Sequence, residues 1–98
     1  TQSASTCVTN SWTTIYTLAD HEHGLYFFTG NNYGGSALLF LHANQPGYTS
    51  YMSVLAQGGD ISGYTWSFQL AGTDNRQVQA HHQYPWCINP VIVKLGGI

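Results

Sequence analysis

Charged side chains are scarce in this chain. Lys and Arg together number 2, Asp and Glu together number 4, and charged residues make up only 6% of the 98 residues. A surface with so few cations has no field that would concentrate nucleic-acid phosphates or anionic lipid headgroups. We therefore expect neither a nucleic acid nor a membrane as a partner.

Long apolar runs are missing as well. The longest, residues 37–41, is far shorter than the roughly 20 residues that cross a bilayer. No segment repeats apolar residues with the period of a helix, so we expect almost no helix. The chain opens on Thr1 and a polar stretch that is typical of the stub left after signal-peptide removal. These features predict a secreted or extracellular protein.

Apolar and aromatic residues, unlike charged ones, are abundant. Hydrophobic residues are 43% of the chain and aromatic residues 14%, which is enough apolar matter to offset chain entropy. The length suits a single core. We predict one domain over residues 1–98, with residues 1–7 as a flexible N-terminal stub.

The two cysteines, Cys7 and Cys87, lie near the two ends of the chain. An even count in a short chain with secretory features favours a disulfide, and the alternative is a pair of buried free thiols in an intracellular protein. In the loop-entropy model a bridge that closes this much chain stabilises the fold by about 4 to 5 kcal/mol.

Strand patterns dominate the sequence. In residues 64–70, Tyr64, Trp66, Phe68 and Leu70 alternate with polar residues, as in a strand with one buried face. Turn residues separate the strands that we predict at 12–18, 25–28, 36–42, 48–55, 64–70, 77–81 and 91–95. Strands at this spacing are typical of a sandwich or a small barrel.

One motif resembles a known family. Phe28 is followed by four residues, then Tyr33, one residue, Gly35 and Ser36. This spacing resembles the Greek-key motif of the βγ-crystallin family, in which a folded hairpin needs a positive-φ glycine and packs two aromatic rings across its bend. The resemblance covers residues 24–70, roughly half of the chain, and is not repeated elsewhere. It implies an all-β Greek-key β-sandwich of βγ-crystallin type, in an irregular, non-enzymatic, structural or storage-like member.

The resemblance also raises the question of calcium. Many microbial members of that family bind Ca²⁺ through a loop that corresponds to residues 59–64 here, which keeps Asp60, with Ser62 beside it, but lacks the terminal hydroxyl pair. Ca²⁺ prefers about six to eight oxygen ligands, carboxylates among them. An ordinary turn at Asp60 is the favoured interpretation. We expect no cofactor, or weakly bound calcium.

The histidines suggest a different metal site. His21 and His23 would face the same way on an extended strand, as transition-metal ligands do. A third ligand would have to come from His42 or from the pair His81 and His82. A solvated turn is the favoured alternative.

Two further functions remain open. Trp86 could stack on a sugar ring while Asn31 and Asn32 supply hydrogen bonds, which would make the chain a small lectin or antimicrobial binding protein. A small secreted hydrolase would use Glu22, a histidine and Arg76 as base, acid and phosphate clamp. Since no Gly-x-Ser-x-Gly motif is present, we expect the protein not to be an enzyme.

Overall fold

The computed structural model describes residues 7–30, 34–59 and 65–97, together with the backbone of residues 2–3. Within these ranges the chain forms eight strands and one turn of 3-10 helix, Thr73–Asn75. The strands are β1 Gln2–Ser3, β2 Thr13–Thr17, β3 His23–Thr29, β4 Ser36–His42, β5 Tyr51–Gly58, β6 Ser67–Ala71, β7 Gln77–His81 and β8 Val91–Gly97. The fold is therefore all-β, as the sequence predicts.

Two antiparallel sheets make up this fold. The larger has the order β1-β8-β3-β4-β5 and the smaller has the order β2-β7-β6. The longest continuous register joins β3 to β4, from His23 opposite His42 to Thr29 opposite Ser36. The arrangement is consistent with a β-sandwich whose core lies between the two sheets.

Alternation along β3 and β4 decides which side chains enter the core. Tyr26 and Phe28 are fully buried, whereas Leu25 and Phe27 between them are 39% and 38% exposed on the outer face. Successive side chains of a strand point to opposite faces, so the run of aromatic residues in β3 covers both faces of the sheet.

Aromatic contacts join the two sheets. The ring of Phe28 meets those of Trp66 and Phe68 edge-on, each at 4.8 Å between centroids. Edge-to-face pairs of this kind add to the stabilisation from apolar burial. The buried apolar residues around them are Val8, Ile15, Leu18, Tyr26, Ala37, Leu39, Leu41, Ala43, Val78, Ala80, Ile88 and Ile92.

The predicted pattern in β2 is only partly right. Alternation within residues 12–18 of the sequence predicts that Trp12, Tyr16 and Leu18 share one face. In the structure Ile15 is the buried residue of β2, and Trp12 is 42% exposed. The pairing of β2 with β7 shifts register between Thr14 and Tyr16, and this bulge inserts a residue into the alternation.

Strand boundaries also differ from those predicted. β5 begins at Tyr51, three residues later than expected, because Tyr48 belongs to a turn in which its amide donates to the carbonyl of Gln45. At the N-terminus, Gln2–Ser3 pair with β8 within the segment predicted to be a flexible stub.

The predicted disulfide between Cys7 and Cys87 is present, with 5.5 Å between the two Cα atoms. Next to it, Val8 and Ile88 exchange both of their backbone hydrogen bonds, at 2.8 and 2.9 Å. The covalent bridge and this backbone pair together fasten the N-terminal segment to the chain that leads into β8.

Candidate functional site

The hairpin between β3 and β4 contains the βγ-crystallin-like motif. Its base is closed by a hydrogen bond from the amide of Gly30 to the carbonyl of Gly35. Gly35 has a φ of 85°, as expected for the hairpin glycine, but Gly34 has the same φ. A positive φ therefore does not single out Gly35. Tyr33, the second aromatic of the motif, lies outside the described residues.

Trp66 packs directly on this hairpin. Its indole N–H donates to the carbonyl of Gly34 at 3.4 Å. A Cβ atom on Gly35 would lie 2.5 Å from Cδ1 of Trp66, which is too close for any side chain. The contact explains a glycine at position 35 on steric grounds as well as conformational ones. Ser36 then begins β4, opposite Thr29.

The start of the β5–β6 connection lies beside this hairpin. A Cβ atom on Gly59 would stand 3.2 Å from the amide nitrogen of Gly35. A shallow depression at this point is lined by Gln57, Gly58, Gly59, Thr65 and Trp66. The candidate calcium ligands Asp60 and Ser62 and the candidate sugar ligands Asn31 and Asn32 lie outside the described residues.

Glu22 is the centre of a polar cluster at the opposite end of β3. Its Oε2 accepts hydrogen bonds from the hydroxyls of Tyr16 at 2.5 Å and Tyr26 at 2.6 Å. Its Oε1 accepts from the amide of Ala19 at 3.0 Å, and the ammonium of Lys94 lies 3.4 Å from Oε2. The Glu22 carboxylate is thus surrounded by donors supplied by β2, β3 and β8.

These contacts change the acidity of the Glu22 carboxyl. Burial by itself raises its pKa, but the hydrogen bonds from Ala19, Tyr16 and Tyr26 act against burial. The positive charge of Lys94 acts in the same direction, so the pKa lies below its ordinary value. The carboxyl stays ionised and is held as an acceptor.

The two phenols respond in the opposite sense. Burial, together with the hydrogen bond to Glu22 and its negative charge, raises the pKa of Tyr16 to about 12. The same causes raise the pKa of Tyr26 still further. Both hydroxyls therefore remain protonated donors over the ordinary pH range.

Arg76 is likewise engaged with its own partners. Its side chain is 13% exposed, and its guanidinium forms an ion pair with Asp20 and donates to the carbonyl of Asn44 at 2.7 Å. Its backbone carbonyl accepts from the amide of Leu18. Arg76 thus joins the β2–β3, β4–β5 and β6–β7 connections, which is a structural role.

His82 is buried completely and both of its ring nitrogens have partners. Nε2 lies 2.8 Å from the carbonyl oxygen of Val8, and the amide of Tyr84 donates to Nδ1 at 3.0 Å. This assigns the proton to Nε2, because a carbonyl can only accept and an amide N–H can only donate. The ring also meets Trp66 edge-on at 4.8 Å.

His23 and His42 lie face to face on the outer surface of the larger sheet. Their ring centroids are 5.1 Å apart and their planes are inclined by 22°. His21, expected to share a face with His23, instead has a φ of 63° in the turn before β3. The structure therefore brings together one residue of the predicted metal pair and one of the predicted third ligands.

The carbohydrate hypothesis needs an exposed aromatic ring, and two tryptophans have one. Trp86 is 64% exposed. Trp12 is 42% exposed and lies against His81, with 4.7 Å between ring centroids and 21° between ring planes. Each presents apolar ring surface to solvent.

Sequence reasoning singled out Glu22 and Arg76 but missed the partners of Glu22. One signal for Tyr26 was available, because the alternation that makes Leu25 and Phe27 outward residues turns Tyr26 inward. Lys94 offered another, as a single charge in a β-branched strand. Tyr16 had no such signal, since the bulge in β2 disturbs its alternation.

A scan against protein-family models and searches of curated proteins and of solved structures found no match to this chain. Among residues 7–30, 34–59 and 65–97, no group of three or more potential metal ligands comes together. None of the described helical structure is long and apolar enough to span a membrane.

Proposed function

We propose that this chain is a non-enzymatic, secreted protein whose role is structural and depends on the persistence of its fold. The observation that carries the proposal is the Cys7–Cys87 bridge, which links positions 80 residues apart in the sequence. Disulfides are maintained in oxidising compartments, and a bridge across a long loop restricts the unfolded chain most.

The engagement of the reactive side chains supports a non-catalytic role. Glu22, Arg76 and His82, which a hydrolase would draw on, are bound to partners within the fold. A general acid or base must reach a substrate proton, so groups held in this way serve stability.

The strand order supports a Greek-key arrangement, and we propose the βγ-crystallin type from the spacing of Phe28 and Gly35 in the hairpin motif. β3, β4 and β5 are consecutive neighbours, and β8 returns to lie beside β3. That order corresponds to the spatial sequence fourth, first, second, third of a Greek key. We propose that calcium binds weakly, or not at all, at Asp60 and Ser62.

Protease digestion tests the structural role. Chymotrypsin cleaves after aromatic residues, which are abundant in this chain. Any resistance of the protein to digestion therefore has to come from its fold. We expect the oxidised protein to outlast the Cys7→Ser/Cys87→Ser variant by a wide margin. Equal digestion rates at the same temperature would contradict a role that depends on persistence.

Carbohydrate binding is the second candidate, favoured by the exposed rings of Trp12 and Trp86. A glycan array probed with the wild type, Trp12→Ala and Trp86→Ala would detect it. Signals that vanish in one Trp variant would establish a lectin. Tyr48→Ala, which removes another exposed aromatic ring, is the control for a loss of nonspecific binding.

A further inference from the structure

The face-to-face pair of histidines on the larger sheet is independent of the structural role proposed above. His23 and His42 are direct partners in the β3–β4 register, and both are half-buried. We propose that this pair binds a divalent transition-metal ion of the class that imidazole favours, Cu²⁺, Ni²⁺ or Zn²⁺.

The two rings are close enough to share one metal ion, but one of them has to turn. Metal–nitrogen bonds of about 2.0 Å in a tetrahedral arrangement hold two imidazole ring centres roughly 5 Å apart, with both ring planes passing through the ion. The centroids of His23 and His42 are 5.1 Å apart, but the rings are stacked with their planes inclined by 22°, so the ring of His42 has to rotate about its side-chain torsions to direct a nitrogen at an ion bound by His23. The strands themselves supply this separation, because directly opposed residues of an antiparallel pair have adjacent Cβ atoms.

A hydrogen bond prepares His23 as a ligand. Its Nδ1 lies 3.0 Å from the carbonyl oxygen of His21, so Nδ1 carries the proton and donates to that oxygen. Nε2 is then left with a free electron pair. Metal-binding histidines commonly donate their other ring N–H to a carbonyl or carboxylate in this way, which fixes the tautomer and the ring orientation. The positive φ of His21 belongs to the turn that places this carbonyl.

The described neighbours of the pair along β3, β4 and β5 carry no charge. Leu25 and Phe40, also register partners, are the next residues along the same face. On the far side of His42, β5 places Tyr51 opposite it. The ammonium of Lys94 is directed to Glu22. Among the described residues, the register neighbours of the pair are uncharged, and water would complete the coordination of an ion beyond the two imidazoles.

Cu²⁺ is the sharpest probe, since it binds a given set of nitrogen ligands most tightly among these ions. Titration calorimetry of the oxidised protein at neutral pH in a non-coordinating buffer should show saturable binding that is lost on acidification, because the imidazoles must be neutral. In His23→Ala and in His42→Ala we expect affinity at least about tenfold weaker. Electron paramagnetic resonance of the wild-type complex should show coupling to two nitrogens.

His81→Gln is the matched control, because it removes an imidazole that stacks on Trp12 in the smaller sheet. It should bind Cu²⁺ as the wild type does. Circular dichroism of each variant without metal checks folding, and His42→Asn replaces His42→Ala if the alanine variant unfolds. Wild-type affinity in both the His23 and His42 variants, or a loss in His81→Gln matching theirs, would overturn the assignment.

Discussion

The hydroxyl of Tyr26 donates a 2.6 Å hydrogen bond to Oε2 of Glu22. Tyr26 is a core residue of β3, while Glu22 precedes that strand, so the bond fastens the β2–β3 connection to the sheet. Tyr16 of β2 donates to the same oxygen, and Lys94 of β8 approaches it. One carboxylate thereby couples strands from both sheets.

Acid should weaken the fold through Glu22. The pKa of Glu22 is lowered in the folded protein. Its contribution to the free energy of unfolding is therefore fully present above the ordinary carboxyl pKa, and is lost as the pH falls through the lowered pKa of the folded state. Denaturation with urea from neutral pH down to about pH 3 measures this loss. Glu22→Gln, which cannot ionise, should be less stable at neutral pH and should show a shallower decline in acid. If the free energy of unfolding falls equally steeply with pH in both proteins, a group other than Glu22 controls the loss of stability in acid.

Alkali should weaken the fold through Tyr16. The pKa of Tyr16 is raised from 10.0 to about 12 in the folded protein. Its contribution to the free energy of unfolding is therefore present below pH 10 and disappears as the pH rises toward the raised pKa of the folded state. The free energy of unfolding should therefore fall between pH 10 and about 12, and less steeply in Tyr16→Phe. Tyr48→Phe, whose hydroxyl lies outside the cluster, controls for the loss of a phenol. The expectation fails if Tyr16→Phe declines as steeply as the wild type.

A side chain at position 35 should destabilise the fold. Gly35→Ala combines the strain of a positive φ with a Cβ at 2.5 Å from Trp66, and should cost about 1 to 3 kcal/mol of unfolding free energy. Gly47→Ala is the control, because Gly47 has a φ of 90° but nothing within 4 Å of the added Cβ. Chemical denaturation should therefore find the smaller loss in Gly47→Ala. Equal losses would mean that Trp66 moves aside freely.

The sequence was sufficient for the coarse fold and for the bridge. Strand alternation and turn residues predict an all-β chain. Alternation within residues 77–81 also predicts that Val78 and Ala80 point inward, and this is confirmed because both are fully buried. Cys7 and Cys87 are the two cysteines of the sequence, so a disulfide had one possible pairing. In each case a local pattern or a count carried the information.

Features that depend on pairing between distant strands could not be read in this way. The bulge that buries Ile15 arises from the register of β2 against β7, and the alternation within β2 does not reveal it. The meeting of His23 with His42 depends on the β3–β4 register, which turn chemistry and packing set together. The side chains that contact Glu22 come from three strands, so they could not be read from a local pattern for the same reason.

The most direct measurement of the central claim is the free energy of unfolding of the oxidised protein against that of Cys7→Ser/Cys87→Ser, from chemical denaturation at neutral pH. Because the bridge spans 80 residues of sequence, we predict a loss of about 4 to 5 kcal/mol in the variant. A protein whose role rests on a durable, closed fold should show a loss of this size. A difference below about 1 kcal/mol, within the range of an ordinary surface substitution, would contradict the account.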